Sequence, residues 1–250
     1  GRIGAGALGS SGLAGNGTGS LDPADLEAFR MLRTNLSFFG PHKPLRSVLV
    51  TSGVPGEGKS TVATSLASAA AAAGQRTLLV ECDLRRPTLA QRLGLDESPG
   101  LSEYLAGSAG PQEILQLRKF SLASGANGSS PSSPVAERSL VCIAAGSPPA
   151  QPAELLASDR CRDFFRKVAS VYDLVVVDSS PMLSAVDPLE LIPVVDGVLV
   201  CIRLGLTTRD DVRAVKGALH RLPERPTGLV VTGLGGKEEE YAYYGYVGDS

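Results

Sequence analysis

The sequence predicts an α/β fold, a mostly parallel sheet flanked by helices, and three observations lead there. Short apolar, β-branched runs recur at 47–52, 77–82, 140–144, 174–178, 197–203 and 229–232. Helical patterns with matching start and stop residues lie between them. The runs are continuous rather than alternating, which suits strands buried on both faces beneath covering helices.

Taken in order, residues 1–20 hold eight glycines and a single charge, Arg2, too little to repay ordering by burial. They read as a flexible linker or tag remnant. Asp22-Pro23 opens the first helix, whose Leu26, Phe29, Leu32 and Leu36 recur at spacings of three and four. A second helix covers 62–73 and is closed by Gly74. Six serines and two prolines in 121–134 mark a surface loop. Gln151-Pro152 opens a helix carrying Leu155, Leu156, Phe164 and Phe165. Thr207 or Thr208 caps another, with Asp210 and Asp211 in its favourable first turn. The expected layout is a linker over 1–20, one domain over 21–235 and a tyrosine-rich tail over 236–250.

Composition narrows the function. In 250 residues, 24 Lys and Arg face 26 Asp and Glu, a formal charge of −2, which argues against a globally basic nucleic-acid binder. With 43% hydrophobic residues the chain can bury a sizeable core. No window offers the roughly 18 consecutive apolar residues of a membrane span. The chain opens on glycine without the charged-then-apolar layout of a secretory leader, so it reads as a piece of something longer. Cys82, Cys142, Cys161 and Cys201 show no paired spacing and are expected to be buried free thiols of a reducing cytoplasm. Only His42 and His220 are available, a poor basis for a zinc site or a Ser-His-Asp triad.

The strongest chemical signal is the run from Gly53 to Thr61, Gly-Val-Pro-Gly-Glu-Gly-Lys-Ser-Thr, directly after a strand and opening a helix. Its candidate nucleotide-binding residues are Gly56, Glu57, Gly58, Lys59, Ser60 and Thr61. The glycines let successive N–H groups converge on phosphate oxygens, Lys59 supplies a mobile charge for the β/γ-phosphates, and the Ser60 hydroxyl can ligate Mg²⁺. Asp178 ends an apolar run and is placed to stand beside that metal. Glu81 and Asp83 follow another run, and strand alternation directs both to the phosphate end of the cleft.

Four of the six tyrosines, Tyr241, Tyr243, Tyr244 and Tyr246, crowd near the C-terminus behind Glu238, Glu239 and Glu240. Exposed phenols there make poor core and good phosphoacceptors, and each phosphate adds roughly −1.5 to −2 charges. An amphipathic strand is the structural alternative. Glu27, Arg30 and Arg33 share a helix face, where intrahelical pairing competes with contact to another molecule.

These residues resemble the bacterial tyrosine kinases, P-loop autokinases of capsule and exopolysaccharide synthesis. Glu81-Cys-Asp83-Leu-Arg85-Arg86-Pro87 is similar to their second acidic motif, usually Asp-x-Asp-x-Arg-Arg-Pro. Glu27, Arg30 and Arg33 match their E-x-x-R-x-x-R helix, and the tail tyrosines stand where they keep phosphorylated ones. The resemblance implies a P-loop NTPase fold of the MinD/ParA-like branch, with ATP and Mg²⁺ as cofactors. It implies Lys59, Asp83 and Asp178 as catalytic residues, Ser60, Asp83 and Asp178 around the metal, and Asp83 as the group that receives or orients the phenolic proton. Also implied are ring-like self-association through Glu27, Arg30 and Arg33, a fused or separate transmembrane activator, a cognate tyrosine phosphatase, and a site at the inner face of the cell membrane. Three departures stand out: Glu81 for the first aspartate, Ser179-Ser180-Pro181 for Thr-Pro-Pro, and Thr232 for an asparagine that often contacts adenine. A MinD/ParA-like nucleotide switch and a non-catalytic nucleotide-binding regulator are the alternatives. Against the switch, Val54 stands where such proteins usually carry an extra lysine.

Overall fold

The computed structural model describes residues 23–38, 45–121, 137–222, 225 and 227–233. The expected linker over 1–20, nearly all of the loop over 121–134, and the tail over 236–250 lie outside the described residues.

Among the described residues seven strands form one sheet: β1 (Ser47–Ser52), β2 (Thr77–Glu81), β3 (Gln116–Ser121), β4 (Glu137–Ile143), β5 (Leu174–Asp178), β6 (Gly197–Arg203) and β7 (Thr227–Thr232). Their order is β3-β4-β2-β5-β1-β6-β7. Every neighbouring pair is parallel except β3 with β4. All six apolar runs therefore become strands. β3 was not anticipated, because Gln116, Arg118 and Lys119 give it no apolar stretch; it is an antiparallel edge strand that needs burial on neither side.

Alternation inside the continuous runs feeds two cores. Val48, Val50, Leu79, Val176 and Leu199 pack with Phe29, Leu36, Val62 and Leu66 from α1 (Pro23–Ser37) and α2 (Lys59–Ala72). Leu49, Leu78, Val80, Val175, Val177, Val198 and Val200 face the opposite layer, with Leu101 of α4 (Leu101–Ala106) and Phe164 and Phe165 of α6 (Asp159–Val171). The alanines of α2 let it lie close against the sheet, with Ala63, Ala67 and Ala70 fully buried.

The helix expected from Gln151 is two helices, α5 (Pro152–Ala157) and α6. Ser158 separates them: its backbone is extended and its hydroxyl accepts the Cys161 N–H at 3.2 Å, so it starts α6 instead of continuing α5. Short helices α3 (Leu89–Leu93) and α7 (Asp187–Leu191) were not anticipated, being too brief for a period to show. Thr208, rather than Thr207, caps α8 (Arg209–Leu219) through a reciprocal box with Asp211. All four cysteines are buried and free.

The sheet order sets the site. β1 lies between β5 and β6, while β2 lies on the far side of β5. The chain ends of β1, β2 and β5 thus open into one crevice, where ligands bind in doubly wound sheets.

Candidate active site

The loop after β1 is built as its residue types require. Gly56 and Gly58 have φ of 87° and 89°, a region costly to side-chain-bearing residues. Gly58 directly precedes α2, so the first N–H groups of that helix face the crevice. Lys59 lies beside both predicted acids: its Nζ is 3.2 Å from Asp83 Oδ2 and 3.9 Å from Asp178 Oδ1. The same ammonium is 3.1 Å from Ser60 Oγ. Three segments remote in sequence therefore converge within one side chain's reach.

Asp178 is fully buried, and among the described residues neither carboxylate oxygen has a hydrogen-bond partner, although the Ser60 hydroxyl is close enough to favour its charge. It does not cap the turn that follows. Burial pushes its pKa above the usual carboxylate range, with Lys59 pulling the other way. Asp83, also buried, turns one oxygen to Lys59 and accepts the Arg86 N–H on the other at 3.1 Å. A buried carboxylate with unmet lone pairs beside a hydroxyl and a cation is the donor set a hard divalent cation completes. Among the described residues no three His, Cys, Asp or Glu side chains form a metal site by themselves. Ser60, Asp83 and Asp178 would hold Mg²⁺ only together with phosphate oxygens.

One expectation needs correction. Glu81 does not share the phosphate end with Asp83. Its carboxylate is fully buried and accepts N–H groups from Thr88 at 2.6 Å, Leu89 at 2.8 Å and Ala145 at 3.3 Å. β2 ends at Glu81, so strand alternation does not carry on to Asp83, and the start of α3 supplies donors that demand an acceptor. Burial raises the Glu81 pKa, and these N–H groups oppose that. The Glu57 side chain is fully buried, accepts the Val54 N–H at 2.8 Å and takes a hydrogen bond from the Thr207 hydroxyl. Only its backbone is left for a nucleotide. Thr232, which stands in place of the asparagine, is buried beneath the loop and donates to the Glu57 carbonyl at 2.8 Å, so it braces the loop.

Other supports had no signal in the sequence. Asp187 is fully buried at the start of α7 and pairs with Arg85 through two bonds of 2.7 and 2.9 Å, tying the second acidic motif to the opposite layer. Arg92 donates to the Thr61 hydroxyl at 2.8 Å. Arg203 donates to the Gly56 carbonyl at 3.1 Å. On α1, Arg30 pairs with Glu27 at 3.2 Å, both well exposed, while Arg33 Nε is buried with no hydrogen-bond partner among the described residues. An apolar groove of about 810 Å³ runs between α8 and the β6–β7 edge, lined by Val198, Val200, Val215 and Leu219. It meets the phosphate loop only at Gly53 and Glu57, and Lys59, Asp83 and Asp178 do not line it, so it is distinct from the crevice that holds them. Among the described residues no helix is long and apolar enough to cross a membrane.

Comparison with known proteins identifies the family and the fold. The CobQ/CobB/MinD/ParA nucleotide binding domain family matches residues 48–243. Tyrosine-protein kinase YwqD of Bacillus subtilis is 33% identical over 220 residues, which cover 88% of this chain and 86% of that protein. Putative tyrosine-protein kinase EpsB of Ralstonia solanacearum is 30% identical over 92% of this chain, but the match spans only 30% of that longer protein. Among solved structures, the kinase domain of Escherichia coli tyrosine kinase ETK superposes with a TM-score of 0.73 at 29% identity, covering 85% of this chain and 76% of that one. The chain belongs to the bacterial tyrosine-protein kinase family, on a MinD/ParA-type nucleotide-binding fold.

Proposed function

We propose that this chain is an ATP-dependent protein-tyrosine autokinase whose acceptors are Tyr241, Tyr243, Tyr244 and Tyr246 of a neighbouring copy. The observation that carries the reading is the convergence of Lys59 on Asp83 and Asp178 beside Ser60 at one end of the sheet. The single charge of Lys59 lies against both acids. With nucleotide bound, its charge serves the β/γ-phosphates, and the loop amides hold the phosphate oxygens. Bound Mg²⁺ would supply the charge that offsets electron density building on the γ-phosphoryl and leaving oxygens. A tail phenol forms the new P–O bond, the bond to the β–γ bridging oxygen breaks, ADP leaves, and the phenolic proton passes to Asp83.

Several finer points belong to the same proposal. Glu27, Arg30 and Arg33 would bind a neighbouring copy in a ring, exchanging the pair within α1 for pairs between molecules. Residues 21–235 would form the kinase unit, with 236–250 as its acceptor tail. The setting would be the cytoplasmic face of the membrane, through a transmembrane activator, with a tyrosine phosphatase opposing it and polysaccharide synthesis or export as its output.

Incubation with γ-labelled ATP and Mg²⁺, followed by mapping of the label, tests the reading. Label on the tail tyrosines, lost in the Lys59→Met variant, is the expected result. Label mainly on Tyr104 or Tyr172, or free phosphate alone as a switch ATPase would release, overturns it.

A further inference from the structure

Arg92 has no place in the recognised motifs, yet the fold carries it to the phosphate loop. It lies in the last turn of α3, a helix of five residues that could not hold a position by itself. Two anchors hold α3. The Glu81 carboxylate accepts the N–H groups of Thr88 and Leu89, capping the helix start with a buried negative charge. The Leu89 side chain is fully buried in the core layer of α2. The backbone N–H of Arg92 then closes onto the Thr88 carbonyl at 3.0 Å. From that footing its guanidinium reaches the first turn of α2 and donates to Thr61 Oγ1 at 2.8 Å.

Position along the loop says which part of a nucleotide lies there. Lys59 extends toward the β/γ-phosphates and Ser60 toward the metal, whereas Thr61 is one residue deeper in the helix, on the α/β side. A guanidinium has more donors than one hydroxyl can take, and its planar fork matches phosphate oxygens. Arg92 is exposed, so a ligand can reach it, and its charge is felt by the buried Asp178 inside the crevice.

We propose that Arg92 is a nucleotide-binding residue that contacts the α/β-phosphate oxygens, held in place by the Thr61 hydroxyl and by the anchoring of α3 on Glu81. This rests on the nucleotide-binding reading of the loop and goes beyond it. It also gives the Glu81 departure a purpose: the longer arm serves the α3 donors, and α3 carries the cation.

The test is isothermal calorimetry with Mg-ADP and Mg-ATP on the wild-type chain, Arg92→Ala and Arg92→Lys, after confirming equal thermal unfolding without ligand. Arg92→Ala should weaken ADP and ATP by the same factor, roughly 5–30-fold, as loss of one charge-assisted phosphate contact does. Arg92→Lys should recover part of that loss, since a point charge replaces the fork. Affinities within about twofold of wild type for both nucleotides would make Arg92 a mere tie between helices and overturn the proposal. A loss confined to ATP would move the contact to the γ-phosphate and overturn it equally. Should the wild type bind neither nucleotide, the loop assignment itself fails; binding that ignores Arg92 sinks only this assignment.

Discussion

Replacing Asp178 with Asn should make the ligand-free protein more stable while removing its response to Mg-ATP. The carboxylate is fully buried with no hydrogen-bond partner for either oxygen among the described residues, where Lys59 at 3.9 Å is its paired cation. At an effective dielectric of about 20, that attraction amounts to roughly 4 kcal/mol. Desolvating an ion costs several kcal/mol. The two terms nearly cancel, and the raised pKa says which prevails: burial outweighs Lys59, so the charge is a net burden without a metal. The near-isosteric amide sheds it, and Lys59 keeps Asp83 at 3.2 Å. A gain of about 1–2 kcal/mol follows, or roughly 2–8 °C in Tm for a domain of this size. Wild-type protein at a hundredfold excess of nucleotide over Kd should gain about 2.7 kcal/mol, and the variant almost none. Differential scanning calorimetry with and without Mg-ATP measures both changes. A variant that melts at or below the wild-type temperature without ligand, or that still gains the full ligand shift, would refute the reasoning.

Three further outcomes are expected. Gly100→Ala should destabilise by about 2–4 kcal/mol, because its Cβ would sit 2.5 Å from the Ala144 carbonyl oxygen and 2.6 Å from Gly146 Cα, backbone that cannot step aside; an unchanged urea midpoint would contradict this packing. Glu103 is held down at about 2 because, although burial opposes its charge, the Gly100 N–H and the hydroxyl and N–H of Ser147 outweigh burial. A depressed carboxylate contributes stability above its unfolded value of about 4.5 and loses it as the pH falls toward 2. The full shift is worth roughly 3 kcal/mol, discounted to about 1–2 for solvent screening, and Glu103→Gln should flatten the stability profile in that window; a slope equal to wild type would count against the cap. The four cysteines should stay silent toward a thiol reagent until global unfolding, since burial pushes Cys142 and Cys161 up to about 12 and raises Cys82 and Cys201 as well; modification of any of them in the native state would contradict their burial.

What could be read along the chain was whatever depends on neighbours in sequence. The apolar runs became strands because continuous Val and Leu stretches have no use except burial on both faces. Gly56, Gly58 and Lys59 announced a phosphate loop because its geometry rests on backbone freedom over a few residues. Gly74 and Thr208 marked helix ends by local hydrogen bonding. Tertiary structure alone decided where the charged groups aim. Glu81 looked like a cleft carboxylate until the buried donors of α3 claimed it, and Glu57 and Thr232 proved to brace the loop from below. Asp187 and Arg92 had no motif, since their partners Arg85 and Thr61 lie 102 and 31 residues away. A buried polar atom must find its complement wherever the fold brings one, so its role is set by three-dimensional neighbours that no local pattern encodes.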